Sequence, residues 1–135
     1  MDHSQAYTHF DDKEFPVVVI SFTGNKPTEA NFQEYLDKTY HLYDQQQELA
    51  LVFDATHATL PGYKYQKMQA DWLSENESLM KSYCKGTAYV ISNPLVRKIL
   101  KAIFAIQKQP VPYTVVPTLD EAKSWAKKQL AKASS

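Results

Sequence analysis

The sequence predicts an α/β protein with a mixed sheet of four to five strands and about four helices, in the order ββαβαβαβα. Residues 86–116 indicate a strand, a capped helix and a second strand, which together form a βαβ unit. Residues 15–23 and 49–53 are nearly continuous apolar runs, the pattern of strands that are covered on both faces. Parallel strands joined by right-handed helical crossovers account for all three segments.

The chain length indicates one domain. With 135 residues the chain is long enough for one hydrophobic core and short for two. We assign residues 15–132 to this domain. Residues 1–14 are mostly polar, and we expect either an edge strand that pairs with the next strand or a flexible start.

The first half of the domain follows a strand, helix, strand, helix pattern. The first strand ends at Gly24, and Pro27 and Thr28 then open a helix. Its apolar and aromatic positions recur at helical spacing: Phe32, Tyr35, Leu36, Thr39, Tyr40 and Tyr43. The second strand ends at Asp54, and after the irregular residues 55–62 we predict a long helix over about residues 63–83.

The second half begins with the βαβ unit. Residues 87–91 are rich in β-branched and aromatic types, which suit a buried strand. Asn93 supplies an N-cap oxygen and Pro94 suits the first helical position, so a helix should begin there. It should end before Pro110, which disfavours helix at and before its own position. A short strand follows at Tyr113–Val116.

The last helix carries a capping-box pattern. Thr118 is followed three residues later by Glu121, so the threonine side chain can cap the amide of the glutamate while the glutamate reaches back. The apolar residues that we place on its inner face are Leu119, Ala122, Trp125, Ala126 and Leu130. A helix therefore completes the predicted fold.

Composition argues against several classes of function. Lys and Arg together equal Asp and Glu at 15 each, so we expect no nucleic-acid partner. The single cysteine, Cys84, cannot form an internal disulfide. No apolar run approaches the roughly 20 residues of a membrane span, and no signal-peptide pattern is present. We therefore expect a cytoplasmic protein, peripheral to the membrane at most.

Catalytic and metal motifs are also missing from the sequence. The four histidines lie in unrelated segments without HxH, HxxxH or cysteine-pair spacing, so we predict no metal site and no cofactor. His57 has no serine or cysteine nucleophile placed near it by the sequence. We therefore expect a protein that is not an enzyme.

Three segments resemble a known family. LVFDA at residues 51–55, AYVISNPLVRKILKAIF at 88–104 and PVPYTVVPTLDEAKSWA at 110–126 resemble the SpoIIAA-like branch of the STAS domain superfamily. The resemblance covers nearly the whole chain from Phe15 onward. It implies a STAS-like domain at residues 15–132 that acts without catalysis, as a regulatory module that contacts a protein partner or forms a homodimer.

Two further implications come from that resemblance. In anti-sigma factor antagonists the turn after the Asp-ended strand leads to a phosphorylatable serine; here the sequence is ATLPG at residues 58–62, and Thr56 and Thr59 are the only hydroxyl residues in the turn. The SpoIIAA-like branch is also similar to the CRAL-TRIO lipid-binding fold. That similarity implies an apolar or lipid ligand, or a membrane surface.

The first candidate site surrounds Asp54, at the carboxyl end of a buried strand, where open α/β sheets place their ligands. With Thr56, His57 and Thr59 it could form a polar pocket floor. Alternatively, Asp54 caps its own turn by accepting backbone amides. Both interpretations stay open from the sequence.

The second candidate site is the helix at residues 94–107. At 100° per residue its apolar side chains spread over about 200° of arc: Leu95, Val96, Ile99, Leu100, Ile103, Phe104 and Ile106. Arg97, Lys98, Lys101 and Lys108 lie on the remaining side, and we predict that they contact an anion or an anionic membrane. Alternatively, neighbouring helices bury the arc and the lysines are only solvated. Arg97, the sole arginine, binds either a phosphoryl group or an acidic neighbour such as Asp54.

Two functional hypotheses follow. The first is a STAS-like interaction module that binds a protein partner. The second is a carrier or sensor of a small apolar or lipid ligand, with the helix at residues 94–107 as its membrane-contacting element. The second hypothesis predicts a cavity lined by Leu100, Ile103 and Phe104, together with three further aromatic residues: Tyr63, Tyr65 and Trp72.

Overall fold

The computed structural model describes residues 6–134, and the side chains through residue 132. The elements are β1 (Thr8–Asp11), β2 (Val17–Phe22), α1 (Glu29–His41), β3 (Leu49–Asp54), α2 (Tyr63–Glu75), α3 (Glu77–Tyr83), β4 (Cys84–Val90), α4 (Pro94–Ile106), β5 (Tyr113–Val116) and α5 (Leu119–Ser134). The predicted α/β class and the order of elements are confirmed. The helix predicted over residues 63–83 is divided at Asn76, where φ is −111° and ψ is 17°. The first five residues, including His3, lie outside the described residues.

Three helices begin at capping side chains. Thr28 and Asn31 form a reciprocal capping box at the start of α1. The Asn93 side chain accepts a hydrogen bond from the Leu95 amide at 2.9 Å, and Pro94 occupies the first turn of α4. The Thr118 hydroxyl accepts from the amide three residues later at 3.2 Å. The predicted starts of α4 and α5 are thus confirmed.

The five described strands form one mixed sheet in the order β1-β2-β3-β4-β5. β1 pairs antiparallel with β2, so the predicted edge strand in the first 14 residues is confirmed. The other neighbouring pairs are parallel. Because the strand order never reverses, the parallel strands leave no topological switch point, the usual ligand crevice of open sheets. A ligand site has to lie elsewhere in this fold.

The two faces of the sheet are covered unequally. Alternate residues of β2 and β3, such as Val18, Ile20 and Leu51, face a layer formed by α1, α2, α3 and α4. The intervening residues, such as Val19 and Val52, face α5 alone among the described helices. The thick helical layer on one side provides the volume in which a cavity can form.

Gly86 sets the distance between α5 and the sheet. A Cβ atom at Gly86 would lie 2.7 Å from the ring of Trp125, closer than side chains approach. Glycine in β4 therefore allows the Trp125 ring to lie directly on the strand. This contact places Trp125 on the opposite side of the sheet from the four-helix layer.

Candidate functional site

A cavity of about 100 Å³ lies between the sheet and the layer of α1, α2 and α4. Its strand-borne wall includes Phe22, Leu51, Phe53 and Tyr89, and its helix-borne wall includes Phe32, Tyr35, Tyr65, Trp72, Leu73, Val96, Ile99, Leu100, Ile103 and Phe104. None of the described lining residues is charged. Half-buried lining residues in the segment after β3, such as Ala58, and in the first half of α4, such as Leu100, connect the cavity to the surface.

Three aromatic rings form a row along the strand-borne wall. Phe53 and Tyr89 are register partners on β3 and β4, and their rings stack at 5.2 Å with an interplanar angle of 12°. Phe22 continues the row beside Phe53 at 6.4 Å and 25°. From the helical side, Phe104 meets Tyr89 edge-on at 6.0 Å. Stacked aromatic rings on one wall and an edge-on ring on the other favour the binding of a flat apolar ligand.

Polar groups in the cavity are few, and they are neutral. The Tyr35 hydroxyl donates to Gln69 Oε1 at 2.7 Å, and Gln109 Nε2 donates to the Tyr89 hydroxyl oxygen at 2.7 Å. Burial raises the pKa of Tyr7 to about 12 and holds the pKa values of Tyr35 and Tyr89 well above their usual range. These hydroxyls therefore stay protonated at neutral pH.

The turn after β3 is organised by Asp54. Its Oδ1 atom accepts hydrogen bonds from the Thr56 amide at 3.0 Å and from the Thr56 hydroxyl. This is the geometry of a carboxylate that caps its own turn, the alternative considered for this residue. Asp54, Thr56 and His57 do not line the cavity, whereas Thr59 does and donates to the Asn25 carbonyl at 3.5 Å. Of the predicted polar floor, the structure therefore brings only Thr59 to the cavity.

The other candidate residues divide between the cavity and the surface. Leu100 and Phe104 line the cavity from α4, and Tyr65 lines it from α2. Tyr63 is 69% exposed and does not line it. Arg97 is exposed, and its Nη2 atom donates to the Ile91 carbonyl at 3.3 Å, which ties the start of α4 to the end of β4. The structure does not pair Arg97 with Asp54.

The predicted apolar arc of α4 is largely covered by the chain itself. Val96 and Ile103 are buried, and Ile99, Leu100 and Phe104 are half-buried. Leu95 and Ile106 are the two exposed members of the arc, at 54% and 39%. Lys98, Lys101 and Lys108 are exposed as well, and α4 contains no acidic residue. Peripheral membrane contact through this basic face stays a prediction.

Several lining residues could not be singled out from the sequence. Phe22, Phe53 and Tyr89 each lie within two positions of the carboxyl end of their strands, and this shared position is the signal that could have grouped them. Gln109 is a second omission. It lies between Lys108 and Pro110, and nothing in that local pattern indicates that its side chain is 95% buried.

No family model matches this chain, and no curated protein matches it either. The described residues contain no group of three His, Cys, Asp or Glu side chains that could hold a metal ion. Within residues 6–134, no helix is long and apolar enough to cross a membrane. A function for the cavity therefore has to come from its shape and its chemistry.

Proposed function

We propose that this chain is a STAS-like carrier or sensor that binds a small, uncharged, largely apolar ligand in the cavity. The observation that supports this function is a cavity of about 100 Å³ lined by aromatic and aliphatic side chains, with no charged residue among the described lining. An ionised ligand would lose its hydration there without a charged partner, which costs several kcal/mol or more. The lining thus selects neutral molecules.

The cost of an empty cavity supports the same conclusion. Protein interiors are close-packed, and a cavity leaves the side chains that line it without van der Waals partners on one side. A bound apolar molecule restores the missing contacts and stabilises the folded chain in proportion to its concentration. Since an apolar cavity of about 150 Å³ binds benzene, a ligand with a single ring is the appropriate size.

A matched pair of substitutions in α4 tests this function. Ile103 lines the cavity, whereas Ile106 lies on the same helix, is exposed and does not line it. Ile103→Phe should fill the cavity and weaken the binding of toluene at least tenfold, and Ile106→Phe should leave it unchanged. Binding is read from the indole N–H signals in a two-dimensional NMR titration: Trp72 lines the cavity, and Trp125 lies across the sheet.

In the unaltered protein, toluene should shift the Trp72 indole signal saturably and leave the Trp125 signal in place. The dispersion of the amide signals verifies that each variant is folded. Absence of a saturable shift at Trp72 up to the solubility limit of toluene would contradict the function. Equal toluene affinities for the two variants would contradict it as well.

A second candidate function is a contact with a second copy of this chain. It is favoured by two exposed apolar side chains on either side of Gly62: Leu60 is 51% exposed and Tyr63 is 69% exposed. They follow the turn at Asp54, which in anti-sigma factor antagonists leads to the phosphorylatable serine. Isolated exposed apolar residues are common, but two large ones within four positions suit a small interface.

The dissociation constant of the homodimer tests this candidate. Tyr63→Ser should raise it at least tenfold in sedimentation equilibrium, because the ring would be lost from the interface. The matched control is Tyr40→Ser, which removes a ring that is 46% exposed on α1 and should leave association unchanged. A chain that is monomeric at every concentration, or equal effects of the two variants, would overturn the homodimer.

A further inference from the structure

Basic and acidic residues are segregated along the chain, although their totals are equal. Residues 78–135, the basic part, hold ten of the 15 basic residues and two of the 15 acidic residues. Residues 1–77, the acidic part, hold the others. Charge asymmetry between two halves of a chain indicates an interaction with a charged surface. The basic part provides α4 on one side of the sheet and α5 on the other, so either helix could present its positive charge.

The basic residues of α4 are not neutralised by the rest of the described chain. Lys81, Lys85 and Lys123 each form an ion pair with a carboxylate of the acidic part. None of the ion pairs among the described residues includes a basic residue of α4. Residues 78–119 also contain no acidic residue, so no carboxylate follows or precedes these cations closely in the sequence. The positive charge of α4 is therefore free to attract an external anionic surface.

Exposed apolar side chains lie beside these cations on α4. Leu95 and Ile106 are 54% and 39% exposed, and at 100° per residue they point within about 20° of each other. The exposed Lys98 lies about 60° further round the helix, and the exposed Lys101 lies about 60° beyond Lys98. These four residues form the basic–apolar face of α4. A basic stripe beside an apolar edge is the pattern of helices that lie on anionic membranes.

The helix α5 lacks this combination. It carries two exposed lysines, Lys127 and Lys128, but its first turn also contains Asp120 and Glu121. No large apolar side chain among the described residues of α5 is exposed. Charge together with exposed apolar surface therefore favours α4 as the docking element.

We propose that the basic–apolar face of α4 docks on the surface of an anionic lipid bilayer. Leu95 and Ile106 enter the boundary between the headgroups and the acyl chains, and Lys98 and Lys101 contact lipid phosphates. Ile103 lines the cavity from the other side of the same helix. Docking therefore brings the cavity close to the bilayer, where small apolar molecules concentrate. The docking itself goes beyond the proposed ligand function and does not depend on it.

The size of the basic–apolar face favours a bilayer over an acidic protein. The helix has 13 residues, so it is about 20 Å long, and its exposed side covers only a few hundred Å². A stable protein interface buries about 800 Å² on each partner. A bilayer adapts to a single helix and supplies phosphates and acyl chains together, which suits both halves of this face.

Co-sedimentation with lipid vesicles at physiological salt tests this inference. The unaltered protein should bind vesicles of equal parts phosphatidylglycerol and phosphatidylcholine at least about tenfold more tightly than vesicles of phosphatidylcholine alone. Lys98→Gln/Lys101→Gln should weaken binding to the anionic vesicles at least about tenfold, because each lysine at such a surface contributes about fivefold. Leu95→Ser should weaken it at least about threefold, since the leucine side chain no longer enters the bilayer.

The matched control is Lys127→Gln/Lys128→Gln, which removes the same two charges from exposed positions across the sheet. It should change binding by less than about twofold, because salt screens attraction beyond about 8 Å under these conditions. The dispersion of the amide signals verifies that each variant is folded. Equal losses in the two double variants, or equal binding to the two kinds of vesicle, would overturn the docking surface.

Two further outcomes distinguish the docking partner and the ligand function. Soluble polyglutamate that binds as tightly as the anionic vesicles, with no effect of Leu95→Ser, would assign the basic–apolar face to an acidic protein and overturn the membrane. Toluene should still shift the Trp72 signal in Lys98→Gln/Lys101→Gln. Vesicle binding without any toluene shift in the unaltered protein would support the docking surface and contradict the ligand function; a toluene shift without vesicle binding would do the opposite.

Discussion

The free energy of unfolding is expected to fall steeply as the pH rises from about 10 to 12. Burial holds the pKa values of four tyrosines above the ordinary value of 10: Tyr7 at about 12, and Tyr35, Tyr43 and Tyr89 higher. Above pH 10 the unfolded chain loses these protons while the folded chain keeps them. Each tyrosine then lowers stability by about 1.4 kcal/mol per pH unit, and four lower it by roughly 5. Over the two pH units this removes at most about 10 kcal/mol, so a domain whose stability is in the lower half of the usual range of about 5–15 kcal/mol should unfold by pH 12.

Urea denaturation between pH 8 and 12, followed by circular dichroism and by tyrosinate absorbance, measures this dependence. Tyr89→Phe removes one of the buried hydroxyls and should reduce the slope by about 1.4 kcal/mol per pH unit. Tyr63→Phe, at a position that is 69% exposed, should leave the slope unchanged. Titration of all tyrosines near pH 10 in the folded protein would contradict the prediction.

Local chemistry explains why most of the fold could be predicted. The strand Tyr113–Val116 has the predicted bounds, and α4 begins at Pro94 after the predicted cap at Asn93. No comparable sequence signal marks the division between α2 and α3. The helical spacing of apolar residues continues through it, and neither glycine nor proline occurs there. There the Asn76 side chain donates to the Trp72 carbonyl at 2.9 Å, a local hydrogen bond that competes with helix continuation. Hydrophobic periodicity does not detect such a bond.

The cavity could be predicted in part: of the six side chains that the sequence placed in its wall, the lining contains five, which are Leu100, Ile103 and Phe104 on α4 and Tyr65 and Trp72 on α2. The apolar arc of α4 placed Leu100 and Phe104 among the lining residues without knowledge of the sheet. For α2 the prediction included both Tyr63 and Tyr65. Residues that are two positions apart in a helix point about 200° away from each other, so these two side chains cannot both face one cavity. The contact between Phe53 and Tyr89 joins residues from two strands and depends on their register, which the local sequence does not specify.

Leu51→Ala is expected to lower the free energy of unfolding by about 2–5 kcal/mol, which is the range for deleting a buried leucine side chain. Leu51 is 1% exposed in the central strand β3, and its side chain lines the cavity. The substitution should therefore also enlarge the space that a ligand can fill. Urea denaturation in the absence and in the presence of toluene measures both effects.

Toluene should stabilise Leu51→Ala more than it stabilises the unaltered protein, because the larger cavity gains more contacts from the same ligand. The matched control is Leu60→Ala, at a position that is 51% exposed, which should change stability by less than about 0.5 kcal/mol. If Leu51→Ala loses stability but toluene restores none of it, the space vacated by the leucine side chain has collapsed or is inaccessible to toluene. Either result would argue against a ligand-binding cavity at this position, since access and retained volume are what ligand binding requires.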